Sequence, residues 1–499
     1  MTAEEYNFRM HRFQTCGWFP AKYLRCKGNV EILKNLRGKL NWEMEEERHK
    51  FLNQLYPILA GNWVGPPPNL RDIFGKGEID WLLAESVKNK HEDTPFLVDF
   101  LICTGYKDEP EVDKDGKTIM RRTTAIHHAA KVNHGHYYID NLFKIYNRFD
   151  VNYTDETGFT HFHAACKFGR HDVVKKFLEL GQDPDCLPHE ESNGPPLHYA
   201  LIHSRKTVAR LLLRSGADPN SLNAMKSTPL HVICQRYQYQ DDDLAEIFFK
   251  INDRKRQRVQ VHALDEFGRT PLQRAVANLM PKTVDILLDN GADLSGFVFP
   301  TESHFDERLK RYKRAWIGSK LEVALHALKV VECLEKRGYE SDRIDALKIM
   351  KIFAELEMFP KSAVLKECRH DEDEYPSGVE RNTIRDNDPS LLLYDQLIQL
   401  RPKEAAKLVT NSDYSKLSRS IDAKCSHTGI PHTACTVHLC ETMSREFFRR
   451  WALDPLLELT HGRLPIPCCE MIIDNLMNED LLRICLAAEI IENEQSQMT

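Results

Sequence analysis

The sequence predicts an all-α protein, a solenoid of stacked helical hairpins with helical regions on either side. Three observations predict it. Apolar residues recur at i, i+3 and i+4 in segment after segment, which lays them along one helix face. A seven-residue motif returns five times in the middle of the chain, and Thr, Pro and Gly punctuate its copies where helices must begin and end. At 499 residues and 42% hydrophobic content, the chain can bury more than one core.

Residues 1–96 contain amphipathic text such as WEMEEERHKFLNQLYPIL and then a GPPP break at Gly65–Pro68, so they read as an N-terminal helical cap and linker. The opening residues lack the apolar core of a secretion signal. No apolar run approaches the roughly 18 residues needed to cross a bilayer. Fourteen cysteines are scattered without a framework, and a net charge of −6 gives no general attraction to nucleic acid or anionic membranes. The expectation is a protein of the cytoplasm or nucleus, not secreted, with no membrane and no nucleic-acid partner.

Residues 97–299 hold the repeat. TAIHHAA, THFHAAC, PPLHYAL, TPLHVIC and TPLQRAV start at Thr124, Thr160, Pro195, Thr228 and Thr270, at intervals of 36, 35, 33 and 42 residues. Each is followed by a second apolar triad, such as Val174/Phe177/Leu178 or Val208/Leu211/Leu212, on one helix face. Thr228 and Thr270 can cap a helix whose first residue is Pro229 or Pro271. Gly181, Gly216 and Gly291 stand where a left-handed residue closes the second helix, and Gly158 and Gly268 fit a tight hairpin tip.

These residues resemble the ankyrin repeat, with its TPLHxA signature and GADxN ending. The departures are Ala125 and His161 for proline, Gln273 for the signature histidine, and Lys226 for the turn glycine. A more degenerate unit, FLVDFLICTGYKDEPEVDKDGK, precedes the first clear copy. The recurrent His127, His163, His198 and His231 sit at one position per unit, so neighbouring copies lie about 10 Å apart, too far for shared metal ligation. A histidine bonded to loop backbone is the expected role. Stacked repeats share one core and offer an extended binding surface.

Contacts to a target protein are expected at the hairpin tips and the 42-residue insertion: Glu156, Phe159, Lys226, Arg254, Lys255, Arg256, Glu266, Phe267 and Arg269. The insertion holds Asp241–Asp243 and a basic run, Arg254–Arg258. It reads as a loop pairing its own charges, with a partner-reading finger or nuclear import signal as alternatives.

Residues 300–384 read as a helical connector ending in an acidic break from His370, and 491–499 as a polar tail. Cys425, His427, His432, Cys435, His438 and Cys440 crowd together. They contain no CxxC pair and fit no zinc spacing, so packed helix residues are expected, and neither metal nor cofactor. In LPIPCCEMIIDNLMNEDL, from Leu464, the apolar residues Cys468, Cys469, Ile472, Ile473 and Leu476 form one helical stripe, with Asn478-Glu479-Asp480 recapping the chain. Both cysteines then read as packing residues.

The same register resembles the F-box: Leu-Pro, apolar pairs at Cys468/Cys469 and Ile472/Ile473, Leu476, then Asp480-Leu481, although Pro467 occupies the usual acidic position. Ankyrin repeats followed by a short F-box-like hook resemble the PRANC proteins of poxviruses and insects, with that domain over residues 385–490. The resemblance implies a non-catalytic receptor. Leu464, Pro465, Ile472, Ile473, Leu476, Asp480 and Leu481 would contact the Skp adaptor of a cullin–RING ubiquitin ligase, while the repeats hold a target for ubiquitination. The alternative is an ankyrin scaffold or inhibitor that masks a signalling protein.

Overall fold

The structure, a computed structural model, describes residues 27–61, 68–88, 94–132, 135–187, 194–235, 243–312, 319–360 and 432–498. Gly65–Pro67, Asp241, Asp242, the acidic run from His370, the segments LLLYDQLIQL and PKEAAKLV, and Cys425 and His427 lie outside the described residues. The regular elements among them are all helices; pairing in the extended conformation is limited to isolated bridges such as Val112 with Thr118 and Thr154 with Thr160. No described helix is long and apolar enough to cross a membrane. The chain divides into two compact units, Met1–Tyr237 with Ile247–Val259, and Gln238–Glu246 with Gln260–Thr499.

The first unit opens with α1 (Lys27–Gly38), α2 (Glu45–Gly61), α3 (Lys76–Lys88) and α4 (Thr94–Cys103). Three glutamates occupy the first turn of α2, where the helix dipole favours negative charge. Leu33, Phe51, Leu52, Leu55, Ile79 and Leu83 are buried among these helices. Hairpins follow: α5 (Ala125–Lys131) with α6 (Ile139–Ile145), α7 (His161–Phe168) with α8 (His171–Glu179), α9 (Pro196–Ile202) with α10 (Lys206–Arg214), then α11 (Pro229–Cys234). Helix α12 (Leu244–Lys255) has twelve residues against nine in α8 and α10. The extra length of the fourth interval therefore extends a helix as well as a loop.

Helix α3 packs on α5, and a partly buried polar staple ties α3 to the segments on either side of it. Arg122 donates to Asp80 of α3 at 2.5 Å and to Asp108 at 2.8 Å, and the Tyr153 hydroxyl donates to Asp108 at 2.7 Å. His161, which stands in the proline position of its repeat, is fully buried; its Nε2 lies 2.6 Å from Thr124 Oγ1, and its ring packs edge-on to Tyr146 and Tyr153.

The second unit holds the last hairpin, α13 (Pro271–Ala277) with α14 (Pro281–Asp289), followed by α15 (Glu302–Tyr312), α16 (Ser319–Lys336) and α17 (Arg343–Glu355). Its C-terminal bundle comprises α18 (His432–Leu459), α19 (Ile466–Asn475) and α20 (Asn478–Met498). Helix α18 packs on α16, α19 and α20, and α20 also packs on α17. Leu325, Val330, Phe353, Phe448 and Leu481 are buried, with Phe353 and Phe448 in T-shaped contact. Helix α20 runs to Met498, so the expected polar tail continues a helix.

Candidate protein-interaction surfaces

The repeated Thr-x-x-His element works as a capping box with histidine in the third helical position, where Glu or Gln is usual. Thr124, Thr160 and Thr228 cap α5, α7 and α11, and the backbone N–H of each donates to Nδ1 of His127, His163 or His231. An Nδ1 acceptor requires the proton on Nε2, which then donates across to the loop of the following repeat. His127 reaches the Tyr153 carbonyl at 3.2 Å, His163 that of Cys186 at 3.2 Å, and His198 that of Ser227 at 3.0 Å. Gln273 reproduces both bonds: its Oε1 accepts from Thr270 N at 2.9 Å and its Nε2 donates to the Val298 carbonyl at 3.2 Å. Burial pushes His127, His163 and His198 down to about 4, so these rings are neutral bracing groups.

The hairpin tips are built by an acid or amide that sequence reading passed over. Oδ1 of Asp113, Asp155, Asn223 and Asp265 accepts backbone N–H groups two and four residues ahead, closing the turn. The signal was present as Asp155-Glu-Thr-Gly and Asp265-Glu-Phe-Gly, two hydrogen-bonding starts to a Gly-containing turn. Gly158 and Gly268 adopt φ near +80° and +70°, and Lys226, where glycine is missing, is held at +50°.

Of the expected tip contacts, Glu156, Lys226, Glu266 and Phe267 are exposed. Phe267 is 59% exposed and carries the Arg269 guanidinium 4.6 Å above its ring. Phe159 corrects the expectation: it is buried, with its ring against His163 and Tyr199, because the residue after the turn glycine folds back under the hairpin. The basic run is corrected too. Arg254 and Lys255 form the last turn of α12, not a loop, and Lys255 Nζ donates to the carbonyls of Leu213 and Arg214 at 2.8 and 3.0 Å. That bond satisfies the otherwise open end of α10. Arg256 is exposed.

The C-terminal hook splits the expected apolar stripe in two. Pro465 caps α19, and the helix stops at Asn475, so Leu476 is already extended. Cys469 and Ile473 face inward and are buried; Cys468 is exposed, which corrects its assignment to the core. Ile473 and Leu481, expected on the adaptor face, are 2% and 0% exposed and belong to the bundle interior. What remains outside is Pro465, Ile466, Cys468, Met471 and Ile472, with Leu464 and Leu476 half-buried beside them. Ile466, Met471 and Ile472 are 54%, 67% and 38% exposed. Asp480 is half-buried, and its Oδ2 accepts from Met477 N at 3.3 Å, recapping the chain as α20 begins.

A buried polar network fixes the hook to α18. Arg445 donates to the Ile473 carbonyl at 2.6 Å and to Asn478 Oδ1 at 3.0 Å. Asn478 in turn donates from its backbone to Glu441 Oε1 at 2.8 Å, and from Nδ2 to the Glu441 carbonyl and Ser444 Oγ. Burial raises the Glu441 carboxyl to about 7. Asn478 was expected only to recap the chain; Glu441, Ser444 and Arg445 carried no sequence signal because the turn they hold lies 28 or more positions away.

His438 and Cys440 are buried in α18. Among the described residues, no group of three or more His, Cys, Asp or Glu side chains is arranged to hold a metal ion.

A family model described as "Ankyrin repeats (3 copies)" matches residues 83–187, 126–223 and 197–296. Similar curated proteins include one described as "Probable serine/threonine-protein kinase" from Dictyostelium discoideum, 32% identical over 131 residues, which are 26% of this chain and 14% of that protein. Neurogenic locus notch homolog protein 1 of Mus musculus is 27% identical over 142 residues, 28% of this chain and 5% of its own length. B-cell lymphoma 3 protein of Homo sapiens is 28% identical over 144 residues, 28% of this chain and 30% of its own. The chain thus spans less than a third of the length of these relatives. With the capping boxes, hairpin turns and helix pairs above, the match identifies ankyrin repeats within residues 83–296 of this chain.

Proposed function

We propose that this protein is a non-catalytic receptor whose ankyrin repeats hold a target protein while the F-box-like hook recruits the Skp adaptor of a cullin–RING ubiquitin ligase. Ankyrin repeats imply a protein partner. The observation that supports the adaptor role is the exposure of three large apolar side chains on one short helix, Ile466, Met471 and Ile472 of α19, next to Leu464 and Pro465. Large apolar side chains left in solvent mark a site for a protein partner. Proximity supplies the catalysis, since a bound target is held at high effective concentration near the ubiquitin-charged enzyme. In a pull-down with purified adaptor, Leu464→Ala combined with Pro465→Ala abolishes adaptor capture and leaves target binding intact; capture unchanged by the double substitution overturns the reading. The second reading is an ankyrin scaffold that masks a signalling protein. It is favoured by the family-model match, which falls on the repeats, and target binding without any adaptor binding establishes it.

A further inference from the structure

We infer that the ends of α10 and α12 in the first unit form a docking site for an acidic peptide segment of a partner protein. Six cations lie on these helices and just beyond: Arg210 and Arg214 on α10, Lys250 and Arg254 on α12, and Arg256 and Arg258 after its end. The Lys255 bonds to the Leu213 and Arg214 carbonyls bring the two helix ends together, and Asn220 Nδ2 ties the Arg258 carbonyl to the same edge at 2.8 Å. Arg210/Arg214 and Lys250/Arg254 are each spaced i, i+4, so each helix carries a pair of cations on one face.

None of the six has an ion-pair partner among the described residues, and Asp253 is the one acid in Ile247–Val259. On the preceding outer helix, Lys175 is paired with Glu179. Like charges at i, i+4 cost a few tenths of a kcal/mol each, and the stability of the fold gives no reason to keep them. A helix end is favoured by one nearby cation, and Lys255 already fills that role for α10. Six further charges await an anion that is not part of this unit.

The net charge of −6 decides which anion fits. A long polyanion is repelled by the chain as a whole, whereas a short acid-rich segment engages only the patch and feels little of the rest beyond about 10 Å in physiological salt. The site does not depend on the hook, and its test involves no ubiquitin component.

The experiment titrates a fluorescein-labelled octaglutamate peptide with the full chain, followed by anisotropy, alongside a single-stranded oligonucleotide of equal charge. The expected result is peptide binding that weakens at least about tenfold with Arg214→Glu plus Arg254→Glu, and similarly between about 0.05 and 0.5 M salt. Both sites are exposed, so an unaltered circular-dichroism melt verifies that the variant is folded. Absence of peptide binding, binding untouched by the charge reversal, or tighter binding of the oligonucleotide each overturns the proposal.

Discussion

The histidine of each repeat carries a structural duty that only its neutral form can perform. At His127 and His163 Nδ1 accepts and Nε2 donates, so protonation breaks the cap on Nδ1, while His198 braces through Nε2. His127, His163 and His198 titrate near 4 in the fold, against 6.5 for an unburied ring. Between those values the unfolded chain binds more protons, so the stabilisation is complete above pH 6.5 and is lost as the pH falls toward 4. Melting followed by circular dichroism is expected to drop by at least about 10 °C between pH 7 and 4.5. Gln273 already makes the same two bonds without titrating. Replacing all three histidines with glutamine therefore flattens that pH dependence; an unchanged slope contradicts the role. At Lys226, held at φ +50° where other tips use glycine, Lys226→Gly relieves about 1 kcal/mol of left-handed strain and raises the urea midpoint. A lower midpoint counts against it.

At the scale of elements, α19 is the instructive case. Its amphipathic spacing was legible in LPIPCCEMIIDN, but periodicity alone gave a stripe too broad by half. Cys468 and Ile472 share that stripe with Cys469 and Ile473, and only contact with α18 decides which pair turns inward. Ile472→Asp leaves the melting temperature of the protein nearly unchanged, whereas Ile473→Asp buries a charge and unfolds the C-terminal bundle. Equal effects of the two contradict the assignment of faces. Asn478 was legible as part of the recapping Asn-Glu-Asp, but its bonds to α18, which hold the α19–α20 turn, were not, because they join residues remote along the chain. Asn478→Ala keeps the backbone bond to Glu441 Oε1 but removes the acceptor of Arg445 Nη1 and the Nδ2 bonds to the Glu441 carbonyl and Ser444 Oγ, and costs about 2–3 kcal/mol, read as a shift in the denaturation midpoint. The repeat helices were the most legible elements, because their Thr caps, closing glycines and apolar triads are local signals. Phe159 and Lys255 were misplaced because their roles depend on the neighbouring repeat.

For the whole molecule, the recurrent motif already announced a stack of helical hairpins, and ankyrin repeats are present within residues 83–296. The C-terminal bundle adds a second apolar surface, and the account rests on what covers it. Ile466→Asp with Ile472→Asp changes that surface without touching the interior. The full chain and this variant are each to be mixed with purified Skp adaptor and run on size-exclusion chromatography. A stoichiometric complex with the unaltered chain, and none with the variant at equal thermal stability, is the predicted result. Co-elution of the adaptor with both proteins, or with neither, would contradict it.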